Sequence, residues 1–425
     1  MIFLYQFLSI VLSPLINLYL AFRKLKKKED IFRFPERFGY SNTNRPNGFL
    51  IWLHSASVGE SKSALTLVEA LLEKYPLINV IITSGTITSA AEIAKNLPQR
   101  TIHQYIPVDK FFSVKRFLKH WQPNLAMFIE SELWPNLVVQ TKKSGCPLVL
   151  VNGRISDRSF KRWKILHKFG FNLLKNFSIC FAQSQIDQQK FIGLGIKNVH
   201  FIGNLKASSL LLKIDQEQLE KLQQQIGTRK FWLAASTHKN EEEIIIRTHQ
   251  KLKEYFPDLL SIIAPRHPNR LEEIVKLIPK NLKTAIRSQN QSINNCEIYL
   301  ADTLGELGTF YSLSKISLIG GSMVENIGGH NPFEALQLGS VILSGIYVKN
   351  FQEVYQDLKN SGSCVMVKNE AELLFYLLKM MKDKNYYASL KENITNQQSN
   401  NQEVAHSILK IISDRVDIMP STIFN

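Results

Sequence analysis

Residues 49–75, FLIWLHSASVGESKSALTLVEALLEKY, contain the unit from which the fold is built. The apolar run at 49–53 is typical of a strand buried on both faces, and residues 61–75 have the apolar spacing of an amphipathic helix. A buried strand joined by a short turn to a helix is the repeating element of a parallel α/β sheet. The turn, HSASVGE, contains Glu60, which either caps the helix or accepts a proton from a substrate.

The same alternation of apolar run and helical pattern recurs along the chain in two series. The predicted strands are 49–55, 78–84, 125–131, 147–153 and 179–184, followed by 231–236, 259–265, 297–302, 315–321 and 340–345. Two series in 425 residues predict two Rossmann-like α/β domains, because one core rarely organises a chain of this length. We place these domains at 23–205 and 206–425, after an apolar segment at 1–22. A ligand cleft is expected at the carboxyl ends of the strands.

The composition is that of an ordinary folded protein. Hydrophobic residues make up 44% and charged residues 21% of the chain, which excludes a disordered or collagen-like protein. The four cysteines are far apart and have no metal-ligand spacing, so we expect neither a zinc site nor a disulfide framework. Reduced cysteines of this kind predict catalytic domains in the cytosol.

The positive charge is concentrated in the first half of the chain. Residues 1–200 contain 27 Lys and Arg against 12 Asp and Glu, whereas residues 201–425 contain 25 against 24. A basic half beside a neutral one predicts a domain that faces an anionic surface, either phospholipid or nucleic acid.

The N-terminal segment favours phospholipid. Residues 2–22 contain no charged side chain, and RKLKKK follows at once. This length suffices to span a bilayer, and basic residues on its C-terminal side favour a retained anchor with the rest of the chain in the cytoplasm. Pro14 and the polar Gln6, Ser13 and Asn17 also fit a kinked or interfacial anchor, so both arrangements stay open.

Two further segments are basic and amphipathic. Residues 109–121 and 157–177 alternate Lys or Arg with large apolar side chains. Such helices either lie on anionic lipid or pack their apolar stripe on their own sheet.

Two stretches of the second half have the composition of a phosphate site. IAPRHPNR, 263–270, places Arg266 at the end of a strand, where a guanidinium can grip a phosphate or carboxylate, although a solvated loop arginine is equally compatible. GGSMVENIGGHNPFEAL, 320–336, combines four glycines with a helix start at Asn331-Pro332, and so predicts a nucleotide cradle. DTLGELG, 302–308, follows another strand and offers backbone contacts.

The first half adds acidic and basic candidates. IESELWPN, 129–136, places Glu130 and Glu132 at a strand end, where burial beside Trp134 is expected to raise a carboxyl pKa. GNLK, 203–206, places Lys206 at the domain junction. The plainer alternatives are a carboxylate that starts a helix and a lysine on a linker.

Taken in order, seven of these motifs resemble those of the 3-deoxy-D-manno-octulosonic acid (Kdo) transferases of lipopolysaccharide synthesis. The motifs are HSASVGE, ESELWPN, NGRIS, GNLK, PRHPNR, DTLGELG and GGSMVENIGGHNPFEAL, after an apolar N-terminus with RFG at 37–39. The resemblance implies a GT-B fold of two facing Rossmann-like domains. It further implies an inverting transfer of Kdo from CMP-Kdo to a lipid A precursor, lipid IVA, at the inner membrane, with one N-terminal anchor and cytoplasmic catalytic domains.

The resemblance also assigns roles to residues. Glu60 matches the general base, and Glu130 and Lys206 match positions that stabilise the transition state. The positions that match the CMP site are Pro265, Arg266, Gly305, Glu306, Leu307, Asn331, Pro332, Phe333 and Glu334. Neither a metal ion nor a cofactor is expected besides the donor substrate, and the expected partners are CMP-Kdo, the acceptor and inner-membrane lipids.

Two rival functions remain at this stage. Another GT-B enzyme that uses a UDP-sugar has the same architecture, and a non-enzymatic protein that binds anionic lipid or nucleic acid has the same charge asymmetry. Nucleic acid is disfavoured because the basic residues accompany an apolar anchor rather than an array of stacking side chains. The capping role of Glu60 also persists, since Ser57 and Glu60 have the S-x-x-E spacing of a capping box.

Overall fold

The computed structural model describes residues 2–165, 172–208 and 212–415. The chain divides into two compact units. The first consists of Met1–Leu210 and Asn401–Asn425, and the second of Leu211–Asn400.

The first unit contains a seven-stranded parallel sheet with helices on both faces. Its strands are β1 Leu50–His54, β2 Asn79–Ser84, β3 Thr101–Tyr105, β4 Leu125–Ile129, β5 Leu148–Gly153, β6 Ile179–Ala182 and β7 Val199–His200. Its helices are α1 Ile2–Val11, α2 Ser13–Leu25, α3 Val58–Lys74, α4 Ile87–Lys95, α5 Phe111–Trp121, α6 Pro135–Lys143, α7 Asp157–Ile165 and α8 Gln185–Gly193.

The second unit has a sheet of the same kind. Its strands are β8 Phe231–Thr237, β9 Leu260–Pro265, β10 Thr284–Ile286, β11 Ile298–Leu300, β12 Ile316–Ile319, β13 Val341–Gly345 and β14 Cys364–Val367. Its helices are α9 Gln216–Ile226, α10 Glu241–Lys253, α11 Leu271–Leu277, α12 Leu307–Leu313, α13 Phe333–Gln337, α14 Gln352–Asn360, α15 Glu370–Lys382 and the long α16 Lys384–Arg415, which continues into the first unit.

The strand orders fix where each sheet can bind a ligand. The first sheet runs β3-β2-β1-β4-β5-β6-β7 and the second β10-β11-β9-β8-β12-β13-β14. In the first sheet the chain builds outward in opposite directions from β1 and β4. In the second, β9, β10 and β11 lie on one side of β8, and β12, β13 and β14 lie on the other. The pairs β1–β4 and β8–β12 are topological switch points, and ligands of open α/β sheets bind outside the carboxyl ends of the strands there.

All ten predicted strands are present, and the two predicted Rossmann-like sheets are confirmed. Four further strands, β3, β7, β10 and β14, were not predicted from the apolar pattern. Each of them lies at an edge of its sheet. An edge strand has one neighbour and contacts solvent, so it does not need the long apolar run of a central parallel strand; β3 contains polar residues, and β7, β10 and β14 are only two, three and four residues long.

The C-terminal helix differs from the predicted division at 205/206. The end of α16 packs into the core of the first unit, where Val404, Ile408 and Ile412 join the cluster that contains Leu205. Because these apolar side chains are buried against the first sheet, Asn401–Asn425 groups with the first unit rather than with the second.

The N-terminal apolar segment is not one continuous helix. It forms α1 and α2, which meet at a bend of 62°. Pro14 stands in the first turn of α2, where its missing N–H and fixed φ are tolerated. In the described part of the chain no single helix has both the length and the apolar character needed to cross a bilayer, although this bent pair has them when its two helices are taken together.

The two basic amphipathic segments differ in their packing. Helix α5 buries its apolar stripe, Val114, Phe117, Leu118 and Trp121, against its own sheet. Helix α7 has no buried residue, and Ile165 at its end is 83% exposed. The middle of the predicted 157–177 segment, residues 166–171, lies outside the described residues.

Candidate active site

Glu60 lies at the start of α3, directly beyond the carboxyl end of β1. Its backbone N–H donates to Ser57 Oγ at 3.3 Å, and the Ser57 hydroxyl donates to Glu60 Oε1 at 2.9 Å. The other carboxylate oxygen accepts from the Ala56 N–H at 2.7 Å. This is a capping box in which the carboxylate accepts from the N–H of Ala56, one residue before the N-cap Ser57. Glu60 therefore does cap the helix.

The Glu60 carboxylate also has a raised pKa, which suits it to act as a base. Burial raises the pKa of Glu60, the nearby charges of Glu130 and Glu132 raise it further, and the hydrogen bonds from Ala56 and Ser57 only partly oppose the rise. A carboxylate with a raised pKa is a stronger base than an ordinary glutamate, and therefore suits proton abstraction near neutral pH.

Glu130 follows β4, the neighbour of β1 in the sheet. Its backbone has a φ of 59°, in the left-handed region that a glutamate rarely adopts. The Lys206 Nζ lies 2.5 Å from Glu130 Oε1, and the two side chains are 25% and 12% exposed. The predicted pair of Glu130 and Lys206 is thus brought into direct contact, and an unusual backbone conformation at a polar cleft is typical of functional sites.

Lys206 is positioned by a buried asparagine that the sequence did not single out as a site residue. Asn152, at the end of β5, is 2% exposed and has a φ of 55°. Its Oδ1 accepts from the Leu205 N–H at 3.0 Å, and Asn204 Oδ1 accepts from the Lys206 N–H at 3.0 Å. The short 3₁₀ turn Leu205–Ser208 is therefore tied to the sheet immediately before Lys206.

The pKa of Glu132 is not raised, although a raised pKa was expected for a carboxyl group buried beside Trp134. His54 Nε2 lies 3.3 Å from its Oε2, and the Trp134 indole N–H donates to the same oxygen at 2.6 Å. Burial alone would raise the pKa of Glu132, but these contacts with His54 and Trp134 outweigh burial and lower it. The expected raised pKa is thus wrong for Glu132, and the raised pKa belongs to Glu60.

His54 was also missed as a site residue. It is 1% exposed at the end of β1, and its Nδ1 lies 3.1 Å from Thr83 Oγ1. Its position, where an apolar strand ends in a polar residue, is the sequence signal that identifies it. His54 orients Glu132 beside Glu60 and Glu130, so the four side chains surround the switch point of the first sheet.

In the second unit, the residues predicted to bind the nucleotide follow β9, β11 and β12, of which β9 and β11 are neighbours and β12 is separated from β9 by β8. Pro265 is buried at the end of β9 and Arg266 is exposed just beyond it. Gly305 to Leu307 follow β11, and Asn331 to Glu334 follow the loop after β12. Parallel strands end at the same edge of a sheet, so these segments share the carboxyl edge of the second sheet.

The turn before α12 is held by an ion pair. Glu306 accepts from Arg287 at 2.5 and 3.1 Å, and these hydrogen bonds lower its pKa. Gly305 has a φ of 88°, and a Cβ there meets open space. The glycine is therefore needed for the backbone conformation of the turn rather than for close packing.

The glycine-rich loop after β12 is tied mainly to its own unit. The carboxylate of Glu241, which is fully buried, accepts from the N–H groups of Gly321, Ser322 and Met323 at 2.7 to 3.0 Å. These three N–H groups are therefore occupied by a buried carboxylate, and the predicted nucleotide contact through the helix start after Asn331 stays a prediction. Farther along, Asn331 Oδ1 accepts from the Phe333 N–H at 3.1 Å, which starts the one-turn helix α13.

Within the described residues, no three His, Cys, Asp or Glu side chains are grouped so that they could hold a metal ion.

Solved structures with this fold include an epimerase and a glycosyltransferase. UDP-GlcNAc 2-epimerase from Neisseria meningitidis matches with a TM-score of 0.62 and 15% identity over 86% of this chain and 100% of its own. A glycosyltransferase from Rickettsia africae matches with a TM-score of 0.57 and 14% identity over 88% of this chain and 100% of its own. The two sheets and the polar side chains at their switch points thus define an α/β protein of the GT-B class.

Sequence comparison identifies the family. A family model described as 3-deoxy-D-manno-octulosonic-acid transferase (kdotransferase) matches residues 32–209. The 3-deoxy-D-manno-octulosonic acid transferase of Rickettsia bellii is 38% identical over 415 residues, 96% of this chain and 98% of the relative. The transferase of the same name from Haemophilus influenzae is 34% identical over 382 residues, 88% of each chain. The chain belongs to the 3-deoxy-D-manno-octulosonic acid transferase family, and it is a glycosyltransferase.

Proposed function

We propose that this protein transfers Kdo, with inversion, from CMP-Kdo to the lipid A precursor lipid IVA, and that Glu60 is the general base. The observation that carries the proposal is the Glu60 carboxylate, whose pKa is raised by burial and by Glu130 and Glu132 at the switch point of the first sheet. The relatives named above are Kdo transferases, which supports the same reaction.

The chemistry requires a base because a sugar hydroxyl is a poor nucleophile at neutral pH. Glu60 accepts the hydroxyl proton while the new glycosidic bond forms, a contribution of about 10²- to 10⁴-fold in rate. The bond from the sugar to the CMP phosphate breaks in the same displacement, so no covalent sugar-enzyme intermediate forms. Two oxygens of Glu60 already accept hydrogen bonds from Ala56 and Ser57, and these contacts hold the carboxylate in one orientation.

The Glu130 and Lys206 pair stabilises the charge that develops in this displacement. A fixed ammonium that is three-quarters buried acts on nearby charge more strongly than a solvated lysine does. Glu130 holds Lys206 in place at 2.5 Å. Glu130 also contributes to the raised pKa of Glu60, although burial is the larger cause, so one ion pair serves both charge stabilisation and the base.

The second unit binds the CMP part of the donor at the carboxyl edge of its sheet. Arg266 has no carboxylate partner among the described residues, and its guanidinium is available to the donor phosphate. The remaining predicted contacts come from Pro265, Gly305 to Leu307 and Asn331 to Glu334. We propose no metal ion or cofactor, and transfer is accordingly expected to withstand a chelator such as EDTA.

The first unit associates with the inner membrane on its cytoplasmic side, according to this proposal. Along α1 and α2 the large apolar side chains of Phe3, Phe7, Leu15, Leu18 and Phe22 are each more than half exposed. The Tyr5 hydroxyl donates to Asp109 at 2.8 Å and Lys110 Nζ donates to Asn17 at 2.7 Å, so both helices are fastened to the start of α5.

That fastening favours an anchor in the plane of the interface over one that spans the bilayer. The bend of 62° between α1 and α2 is consistent with this arrangement. The exposed basic helix α7 supplies further attraction to anionic lipid.

The test uses membranes that contain the protein, CMP-Kdo and lipid IVA, with mass analysis of the lipid products. The wild type is expected to form a Kdo-lipid, and Glu60→Gln to lose at least about 10²-fold in rate while it stays folded. A wild type without product, or a fully active Gln variant, overturns the proposal. Inhibition by CMP but not by UDP distinguishes this function from that of a UDP-sugar enzyme of the same fold.

A further inference from the structure

Two histidines that the predicted donor site does not include face each other across the switch point of the second sheet. His238 follows β8, and His330 lies in the loop between β12 and α13. Their Nε2 atoms are 2.8 Å apart, and the ring planes are nearly parallel, with an interplanar angle of 14° and a centroid distance of 5.0 Å. A switch point is where an open α/β sheet binds its ligand, so the pair occupies the expected ligand position of this unit.

The two histidines are held in place from behind. Glu241 accepts from the His238 N–H at 2.9 Å and from the Gly321 N–H at 2.7 Å. The Tyr355 hydroxyl donates to the His330 carbonyl at 2.9 Å. A Cβ on Gly321 would lie 3.1 Å from the His330 ring, so the glycine lets the ring pack on the loop backbone. The pair is therefore rigid before any ligand arrives.

The hydrogen bond between the rings determines what they offer to a ligand. A neutral imidazole carries one N–H, so one ring donates through Nε2 and the other accepts there. The accepting ring must then carry its hydrogen on Nδ1. Among the described residues neither Nδ1 has a partner in the chain, and neither is a buried unpartnered atom. The neutral pair consequently presents one Nδ1–H donor, and a protonated pair presents two.

The carboxylates near the pair are already engaged by other groups. Arg270 is neutralised by Glu242 at 2.8 Å and by Glu273 at 3.2 Å. The Glu241 carboxylate is occupied by backbone N–H groups. Arg266 has no carboxylate partner among the described residues, and the exposed Lys239 lies 3.8 Å from Glu273.

Burial and nearby positive charge both disfavour the protonated form of the two rings. Burial, with the charges of His238, Arg266 and His267, lowers the pKa of His330 to about 4. Burial, with His267, Arg270 and Arg266, also lowers the pKa of His238. An anion can therefore accept from the Nδ1–H of the histidine pair and lie close to the positive charge of Arg266.

We propose that His238 and His330 form an oxyanion subsite of the donor site, in which an Nδ1–H of the pair donates to a phosphate or carboxylate oxygen beside Arg266. This subsite rests on the proposed function, because CMP-Kdo carries one phosphodiester and one carboxylate. It adds two specificity-determining residues to the predicted CMP contacts, and a donor that lacks the anionic group loses this interaction.

The test measures binding of cytidine, CMP and CMP-Kdo by titration calorimetry, together with the KM for CMP-Kdo. His238→Phe and His330→Phe keep a ring but remove the N–H, whereas His238→Asn and His330→Asn keep an N–H near the place of Nδ1. We expect each Phe variant to bind CMP-Kdo about 10-fold more weakly than the wild type, with cytidine affinity unchanged, and each Asn variant to stay within about 3-fold.

A comparison of the affinities for CMP and CMP-Kdo shows which oxyanion the histidines bind. Weaker binding of both CMP and CMP-Kdo identifies the phosphate, and an effect on CMP-Kdo alone identifies the carboxylate. If the Phe and Asn variants lose affinity equally, or if cytidine affinity falls as much as that of the anionic ligands, the histidines have a packing role and the subsite is overturned. Phe variants with wild-type affinity for both CMP and CMP-Kdo also overturn it. A wild-type protein that binds neither CMP nor CMP-Kdo refutes the proposed function itself, and with it the subsite.

Discussion

The Lys206 ammonium and the Glu130 carboxylate are 2.5 Å apart, although Lys206 comes from a 3₁₀ turn at the end of the first unit and Glu130 from the end of β4. Glu130 adopts a left-handed backbone conformation there, with a φ of 59°. The pair thus combines backbone strain with partial burial, and neither is expected for a surface salt bridge.

Replacement of Lys206 by Met is expected to lower kcat by about 10²- to 10³-fold, because it removes a preorganised cation and leaves Glu130 without its partner. Lys206→Arg is the matched control, since it keeps the charge and is expected to retain a larger part of the activity. The measurement is the rate of Kdo transfer at saturating donor, with thermal unfolding to establish that both variants are folded. A Met variant as active as the Arg variant would contradict the role of the charge.

The pH dependence of transfer follows from Glu60. The base must be ionised, so kcat/KM falls as the pH drops through the raised pKa of Glu60, and the acid limb lies at higher pH than for an ordinary glutamate. Ser57→Ala removes a hydrogen bond that lowers the pKa of Glu60, and should move this limb to still higher pH. It should also cost about 1 kcal/mol of stability as a lost helix cap. An acid limb that does not move in Ser57→Ala would contradict the assignment.

The stability of Glu60→Gln checks the same electrostatics without substrate. The pKa of Glu60 is raised by burial in the folded state, so this group contributes stability below its unfolded pKa and loses that contribution as the pH rises through the folded pKa. Glu60→Gln is therefore expected to unfold at a temperature no lower than the wild type at pH 7.5, and the difference should vanish below about pH 4, where the wild-type carboxyl is protonated. Calorimetric unfolding at both pH values measures it, and a clearly less stable Gln variant at pH 7.5 would show that capping dominates.

Asn152 is expected to act through Lys206. Asn152→Leu leaves the Leu205 N–H without its acceptor and places a bulky residue at a φ of 55°, at a combined cost of about 2 to 4 kcal/mol. Asn152→Asp keeps the acceptor, and Asn152→Gly keeps the backbone freedom but not the acceptor. We predict that stability in chemical denaturation falls in the order Asp, Gly, Leu. Turnover should be impaired more by Gly than by Asp, with the KM for CMP-Kdo unchanged, and a Gly variant with normal kcat would contradict the positioning role.

Gly59 is expected to matter for the acceptor rather than for the fold. A Cβ at this position in the first turn of α3 meets nothing within 4 Å, so Gly59→Ala should be neutral or stabilising by up to about 1 kcal/mol. Because Gly59 is exposed beside Glu60, the added methyl group should raise the KM for lipid IVA and leave the KM for CMP-Kdo unchanged. Gly193→Ala, at the end of α8, is the control, since Gly193 has no positive φ and a Cβ there makes only ordinary contacts with Phe160 at 3.5 and 3.7 Å. Equal acceptor KM values in Gly59→Ala and the wild type would contradict the prediction.

Much of the fold was predictable because central parallel strands are buried on both faces and so must be apolar throughout. Runs such as FLIWL and PLVLV locate β1 and β5 without ambiguity. The edge strand β3, with the sequence TIHQY, faces partly toward solvent and contains polar residues that a central strand would exclude. Its place in the sheet depends on pairing with β2, which a local pattern cannot reveal.

The capping box at Ser57 and the helix start at Asn331-Pro332 were similarly encoded within a few residues, since caps are local interactions. The surface on which α16 packs was not encoded in this local way. Val404 and Ile408 have the apolar spacing of any amphipathic helix, and only the packed structure shows that the surface they cover belongs to the first unit.

The sequence by itself determined the two-sheet architecture, the family and the positions of Glu60, Glu130, Lys206 and Arg266, because buried strands and motif order are written along the chain. The tertiary structure decided which of these groups meet and what their environment does to them. Strand order brings β4 beside β1 and β12 beside β8, and so joins His54 to Glu132 across 78 residues and His238 to His330 across 92. A pKa depends on burial and on such neighbours, which is why the raised pKa lies at Glu60 and not at the carboxylate beside Trp134.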